Sequence, residues 1–122
     1  MRILGLNAKY VLCDVDPVSA ASLKMSSTGL DAQVFEEDGI SVIGREAKIA
    51  HVNPHDVLVH IDPFDPHERI HADGRTPVEL AGWLAHGGFR VVYWYGYDSV
   101  EKRGWAYDEI AQLAPNVKLW CG

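Results

Sequence analysis

Asp56-Val57-Leu58-Val59-His60-Ile61-Asp62-Pro63 is the stretch on which the fold turns. Its centre is apolar and β-branched, with Asn53-Pro54 before it and Pro63 after it. β-Branched side chains suit a pleated surface, and a proline cannot donate to a strand ladder, so the stretch predicts a strand with set ends. Downstream, Pro77 to His86 reads as an amphipathic helix, with Thr76 as N-cap, Pro77 as first residue and Gly87-Gly88 as its stop. Phe89 to Tyr95 predicts the next strand. A helix starting at Asp98 or Ser99 and running through Leu113 follows, stopped by Ala114-Pro115, and Val117 to Trp120 begins a last strand. Upstream, Tyr10-Val11-Leu12-Cys13-Asp14-Val15-Asp16 is a mostly apolar run, which suits a strand covered on both faces. Pro17 opens a helix whose Val18, Ala21, Leu23 and Met25 fall near one side, with Gly29 as its C-terminal cap. Leu30 to Phe35 predicts a strand, Gly39 a turn, and Ile40 to Ala50 a weak helix. Strands and helices thus alternate. The expected fold is α/β: one domain over residues 1–122, with a mostly parallel sheet of about five strands and helices on both faces.

Composition agrees with a globular domain. The chain has 122 residues, 48% hydrophobic and 23% charged, which excludes disordered, collagen-like and coiled-coil classes. The longest apolar runs, such as Val91-Val92-Tyr93-Trp94-Tyr95, are too short to span a bilayer, so no membrane partner is expected. The first nine residues lack a sustained apolar stretch and a small-residue cleavage site, so a cytoplasmic location is expected. Acidic side chains outnumber basic ones 17 to 11 and no Lys/Arg cluster occurs, which disfavours tight sequence-independent nucleic-acid binding by the chain alone. Cys13 and Cys121 are far apart in sequence and read as free thiols.

In open α/β sheets, ligands bind beyond the carboxyl ends of the strands. Acids occupy those ends here: Asp14 and Asp16 after the first strand, Asp38 after the second, Asp62 after the third. Such an acid can accept hydrogen bonds from ribose hydroxyls, and one beside a glycine, as in Asp38-Gly39, can meet an amino group while the backbone approaches a ring. The competing reading is that these acids cap the helices that follow them.

Leu12-Cys13-Asp14-Val15-Asp16-Pro17, then Asp38-Gly39, then Val59-His60-Ile61-Asp62-Pro63-Phe64 resemble the middle of a methyltransferase that depends on S-adenosylmethionine. The resemblance is closest to the bacterial ribosomal-RNA adenine-N6 methyltransferases with an Asp-Pro-Pro-Tyr-like motif, and runs from about Tyr10 to Trp120. It implies a Rossmann-like fold, S-adenosylmethionine as cofactor, and an amine of nucleic acid as methyl acceptor. It assigns Asp14 to the cofactor ribose, Asp38 and Gly39 to the cofactor adenine, and Asp62, Pro63 and Phe64 to the acceptor. Two departures stand out. Phe64 replaces the second proline, with Asp65 after it. Met1 to Lys9 holds only Gly5, where the family has a strand and a Gly-rich turn. The chain therefore reads as a fragment or a shortened form of that core.

Other readings compete. The shortened front favours a non-catalytic module that self-associates through an exposed sheet edge. His67-Glu68-Arg69-Ile70-His71 matches the His-Glu-x-x-His pattern of zinc hydrolases, but the prolines upstream and Asp73-Gly74 beyond leave room for about two helical turns at most. The expectation is a solvated His-rich loop over the site with no bound metal. His60 is expected to pack in the core, as is most of Tyr93-Trp94-Tyr95-Gly96-Tyr97.

Overall fold

A computed structural model describes residues 8–49, 52–69, 74–96, 99, 102 and 104–119. The chain divides into two compact units, residues 1–49 and 50–122.

The first unit is a strand–helix–strand–helix: β1 (Lys9–Cys13), α1 (Pro17–Ser26), β2 (Asp31–Phe35) and α2 (Gly39–Ile49). β1 and β2 pair in parallel from Lys9↔Asp31 to Cys13↔Phe35, and the Asp14 N–H extends the ladder to the Phe35 carbonyl at 3.2 Å. A parallel pair needs a crossover, and α1 supplies it. Its start is fixed by Asp16, whose carboxylate accepts from the Ser19 N–H and hydroxyl, both at 2.8 Å, and by Pro17 in the first turn. The chain leaves it through Ser27, the C-cap, and Gly29, whose φ of +85° favours glycine. The inward stripe of α1 is Ala20, Leu23 and Ser27, spaced i, i+3, i+7. Of the residues expected on one inner side, Leu23 faces inward, whereas Ala21 is exposed and Val18 and Met25 are 72% and 78% exposed. The small Ala20 is fully buried and faces inward instead.

The second unit has a 3-10 turn at Pro54–Asp56, then β3 (Leu58–Ile61), α3 (Pro77–His86), β4 (Arg90–Tyr93) and α4 (Trp105–Leu113). β3 and β4 are parallel from Leu58↔Arg90 to Ile61↔Tyr93. Arg90 N–H to the Val57 carbonyl and Trp94 N–H to the Ile61 carbonyl extend the pair at its two ends. α3 opens with a capping box: Thr76 Oγ1 accepts from the Glu79 N–H at 3.2 Å, and the Glu79 carboxylate accepts from the Thr76 N–H at 2.9 Å. Gly88, at φ +90°, turns the chain into β4. α3 is buried nearly all round, through Val78, Leu80, Ala81, Gly82, Leu84 and Ala85. With Val59, Ile61, Ile110 and Ala114 these form this unit's core. Complete burial of a Leu80 or Leu84 contributes about 1.5–3 kcal/mol.

The α/β class and the parallel pairing are as expected. Four strands occur among the described residues, in two separate pairs, against about five expected. The strands are not covered on both faces. β3 alternates: Val59 and Ile61 are buried, while Leu58 and His60 are exposed. His60 is thus a surface residue and not a core one, because the strand's period of two sends it opposite to its apolar neighbours. The last helix starts at Trp105, after Gly104, later than the expected Asp98 or Ser99. Ahead of it Lys102 N–H closes a turn onto the Ser99 carbonyl, and Asp98 lies outside the described residues. Val117 to Leu119 do not form the expected strand, because Val117 N–H turns back to the Ala114 carbonyl. Trp120 and Cys121 lie outside the described residues. No helix among the described residues is long and apolar enough to cross a membrane.

Candidate functional site

The carboxyl ends of β1 and β2 lie side by side in the first unit, and the structure describes Asp14, Asp16, Asp38 and Gly39 there. Asp14 follows β1 directly. One of its oxygens accepts from the Asp16 N–H at 2.9 Å, and the other has no hydrogen-bond partner among the described residues. Asp16 is a helix cap, and the two bonds from Ser19 hold its carboxyl below the usual carboxylate range. Asp38 also serves a helix: it accepts from the Ser41 N–H at 2.9 Å and hydroxyl at 2.8 Å at the start of α2. The capping reading therefore holds for Asp16 and Asp38, and Asp14 is the acid with an oxygen to spare. Gly39 brings α2 against β1. A Cβ there would lie 3.4 Å from the Cys13 Cβ. The Cys13 thiol, half-buried in this corner, is pushed up to about 11, first by burial and then by the Asp38 and Glu37 charges.

In the second unit Asp62 follows β3, exposed and with no described partner. Pro63 is half-buried. The Phe64 ring is wholly exposed, so it does not pack in the core. The chain then turns at Asp65, whose carboxylate accepts from the His67 N–H at 2.9 Å. That turn aims the His67 ring across to α4. There Nε2 meets the Glu109 carboxylate at 2.9 Å, and the ring stands edge-on to Trp105, centroid to centroid 4.1 Å. Trp105 and Glu109 are four residues apart on α4 and so share a face. Tyr93, at the end of β4, joins the group. Its hydroxyl is buried without a described hydrogen-bond partner, and its phenol is pushed well above the ordinary tyrosine range by burial, then by Glu109, Tyr95 and Asp65.

Neither the His67–Glu109 pair nor Tyr93's place beside it was among the expected site residues. Forty-two positions separate His67 from Glu109, and the one available signal was the Trp105–Glu109 helical spacing. The zinc pattern looks different in three dimensions. Residues 67–69 are not helical, His67 is engaged by Glu109, and Arg69 forks onto the Glu79 carboxylate with bonds of 3.0 and 2.6 Å. His71, the second histidine of the pattern, lies outside the described residues. No cluster of three metal-ligating side chains occurs among the described residues.

Comparison of the chain with protein-family models, with curated proteins and with solved structures found no match.

Proposed function

We propose that this chain is the core of an S-adenosylmethionine-dependent methyltransferase with a Rossmann-like fold. The observation that carries the reading is the pair of acids, Asp14 and Asp38, at the carboxyl ends of two hydrogen-bonded parallel strands, with one Asp14 oxygen open. Ligands of such sheets bind at that edge, and an acid there suits ribose hydroxyls. The resemblance sets Gly39, next to Asp38, at the adenine; in the structure its missing side chain serves the approach of α2 to β1, 3.4 Å from the Cys13 Cβ. Asp14, with its open oxygen, fits the ribose.

When bound, the cofactor supplies an electrophilic methyl group on a sulfonium. The chain's residues do the rest by positioning, and alignment of reacting atoms can supply a large share of a barrier. Asp14 holds the ribose and Asp38 orients the adenine. The resemblance gives the acceptor to Asp62, Pro63 and Phe64 of the second unit, where the exposed Asp62 carboxylate and the Pro63 backbone carbonyl are hydrogen-bond acceptors suited to an amine. The uncovered Phe64 ring stacks on the acceptor's own ring, which makes an unpaired base of nucleic acid, such as adenine, a fitting acceptor.

Isothermal titration with S-adenosylhomocysteine tests the reading. Heat of binding that Asp14→Ala weakens is the expected result. No heat at millimolar ligand overturns it.

A second reading, a non-catalytic module that self-associates, draws on the two sheets, each of only two strands among the described residues. Lone two-stranded sheets are marginal and their edges invite further strands. A monomer by light scattering that also binds the ligand speaks against it.

A further inference from the structure

Parallel strands are ordinarily covered on both faces. In the second unit β3 and β4 are parallel, and α3 packs on the face where Val59 and Ile61 are buried. The opposite face is bare. It carries Leu58 and His60 from β3, and Arg90, Val92 and Trp94 from β4. Leu58 and Val92 are each 48% exposed and Trp94 is 66% exposed. Trp94 lies one residue past β4, but its N–H still bonds the Ile61 carbonyl. The Tyr93 and Tyr95 rings on either side of it lie 5.8 Å apart, so the strand alternation holds through Trp94 and turns it the other way.

The two charges on this face stand at opposite ends. Arg90 is level with Leu58, and Asp62 follows β3 at the level of Trp94. Four residues of strand, about 13 Å, separate those levels. Neither side chain has an ion pair or hydrogen bond among the described residues. Asp56, two residues before Leu58, accepts from the Asn53 amide at 3.1 Å.

We propose that this face docks a second copy of the chain about a two-fold axis that crosses the strands near His60 and Val92. A two-fold contact brings the same patch from both copies together, so the patch must complement itself. An axis across the strands runs the two sheets antiparallel. Arg90 then lies over the partner's Trp94, next to the partner's Asp62, and the same clamp repeats at the other end. A guanidinium on an indole face gains a cation–π contact, and the carboxylate beside it supplies the counter-charge. Leu58 and Val92 fill the middle. An axis along the strands would instead set Arg90 against the partner's Arg90. Tryptophan and arginine are the side chains that most often anchor an interface. The pairing needs no cofactor and does not rest on the methyl-transfer reading. It moves self-association from a sheet edge to a sheet face, and a paired copy has its Asp62 covered.

Sedimentation equilibrium of the full chain, from micromolar to millimolar concentration, tests the proposal. The mass should rise from 13.5 kDa toward twice that value. Trp94→Ala should abolish association, and Arg90→Glu should weaken it at least about tenfold. Both side chains are exposed, so neither variant removes a core contact. Arg90→Glu/Asp62→Arg restores opposite charges at the two ends and should recover part of the affinity. Register is read separately. In a Cys13→Ala/Cys121→Ser background, a short bismaleimide should couple His60→Cys chains into dimers and leave Thr28→Cys, exposed in the first unit, uncoupled. A chain that stays at 13.5 kDa throughout overturns the proposal, as does coupling at Thr28 equal to that at His60. Association that Arg90→Glu and Trp94→Ala leave unchanged also overturns it, and leaves the sheet edges as the contact. Heat of S-adenosylhomocysteine binding, present or absent, bears on methyl transfer alone.

Discussion

Gly82 and Leu113 set how closely α3 and α4 approach. A Cβ at Gly82 would sit 2.6 Å from the Leu113 Cβ and 3.0 Å from its Cδ1. No unstrained pair of helices tolerates that, so the glycine is demanded by packing and not by backbone conformation. Gly82→Ala must push α4 away, and overpacking of this kind costs about 1–3 kcal/mol. The helix propensity gained by alanine, about 1 kcal/mol, offsets part of it. A lower thermal midpoint is expected, and Leu113→Ala should not rescue it, because alanine keeps the Cβ that makes the closest contact. A variant as stable as the parent would show that the helices are free to part.

The capping box at α3 yields a pH prediction. Bonds from Arg69, then from the Thr76 N–H, hold the Glu79 carboxyl below its usual range. Ionised Glu79 therefore favours the folded state. Its contribution is complete above the ordinary carboxylate pKa and fades as pH falls through the lower folded value. Glu79→Gln should flatten the acid limb of a stability–pH curve and leave its neutral plateau lower. Thr76→Ala, which removes the cap oxygen at a buried position, should cost about 1 kcal/mol, with Thr76→Ser recovering most of it. Chemical denaturation between acid and neutral pH checks both.

Much of the fold was legible because its signals are local. Thr76-Pro77 with Gly87-Gly88 marked α3 to the residue, and the β-branched run of β3 and Pro17 marked two more boundaries. Facing was less legible. Apolarity predicts Val18 inward and strand position predicts His60 inward, whereas Val18 is exposed and the period of β3 turns His60 outward. In the candidate site, Asp14, Asp38 and Asp62 were readable as strand-end acids. That Asp16 and Asp38 spend oxygens on helix starts could be seen only once Ser19 and Ser41 were in place. The His67–Glu109 pair was hidden for a different reason: it is made by a turn and a distant helix, and no period or spacing links residues so far apart.

The neighbouring acids of the first unit should separate in a binding experiment. Asp16→Ala loses the α1 cap and should lower the thermal midpoint, with Asp16→Asn, an equally good cap, close to the parent. Asp14→Ala loses a bond to one backbone N–H and the open oxygen. It should change the midpoint less than Asp16→Ala does, yet weaken binding of S-adenosylhomocysteine more. Equal effects of the two variants on binding would mean that the heat reports folding and not a contact with Asp14.

Cys13 gives the alkaline counterpart. Its thiol is pushed up to about 11 in the folded chain, chiefly by burial, while in the unfolded chain it titrates near the ordinary value of about 8.5. Below that lower value both states are protonated and the stability is complete. As pH rises toward the folded value, only the unfolded state ionises, so unfolding becomes easier. Tyr93, whose phenol is also raised by burial, adds to the loss only above the ordinary tyrosine value of about 10. Urea titrations at pH 8 to 10 should therefore show a decline that Cys13→Ala largely abolishes, while the decline at higher pH persists. Iodoacetamide should also alkylate the native thiol far more slowly than the denatured one at pH 8.5, since the thiolate is the nucleophile. Equal rates in the two states would place Cys13 in water, and the tight corner between β1 and Gly39 would have to open.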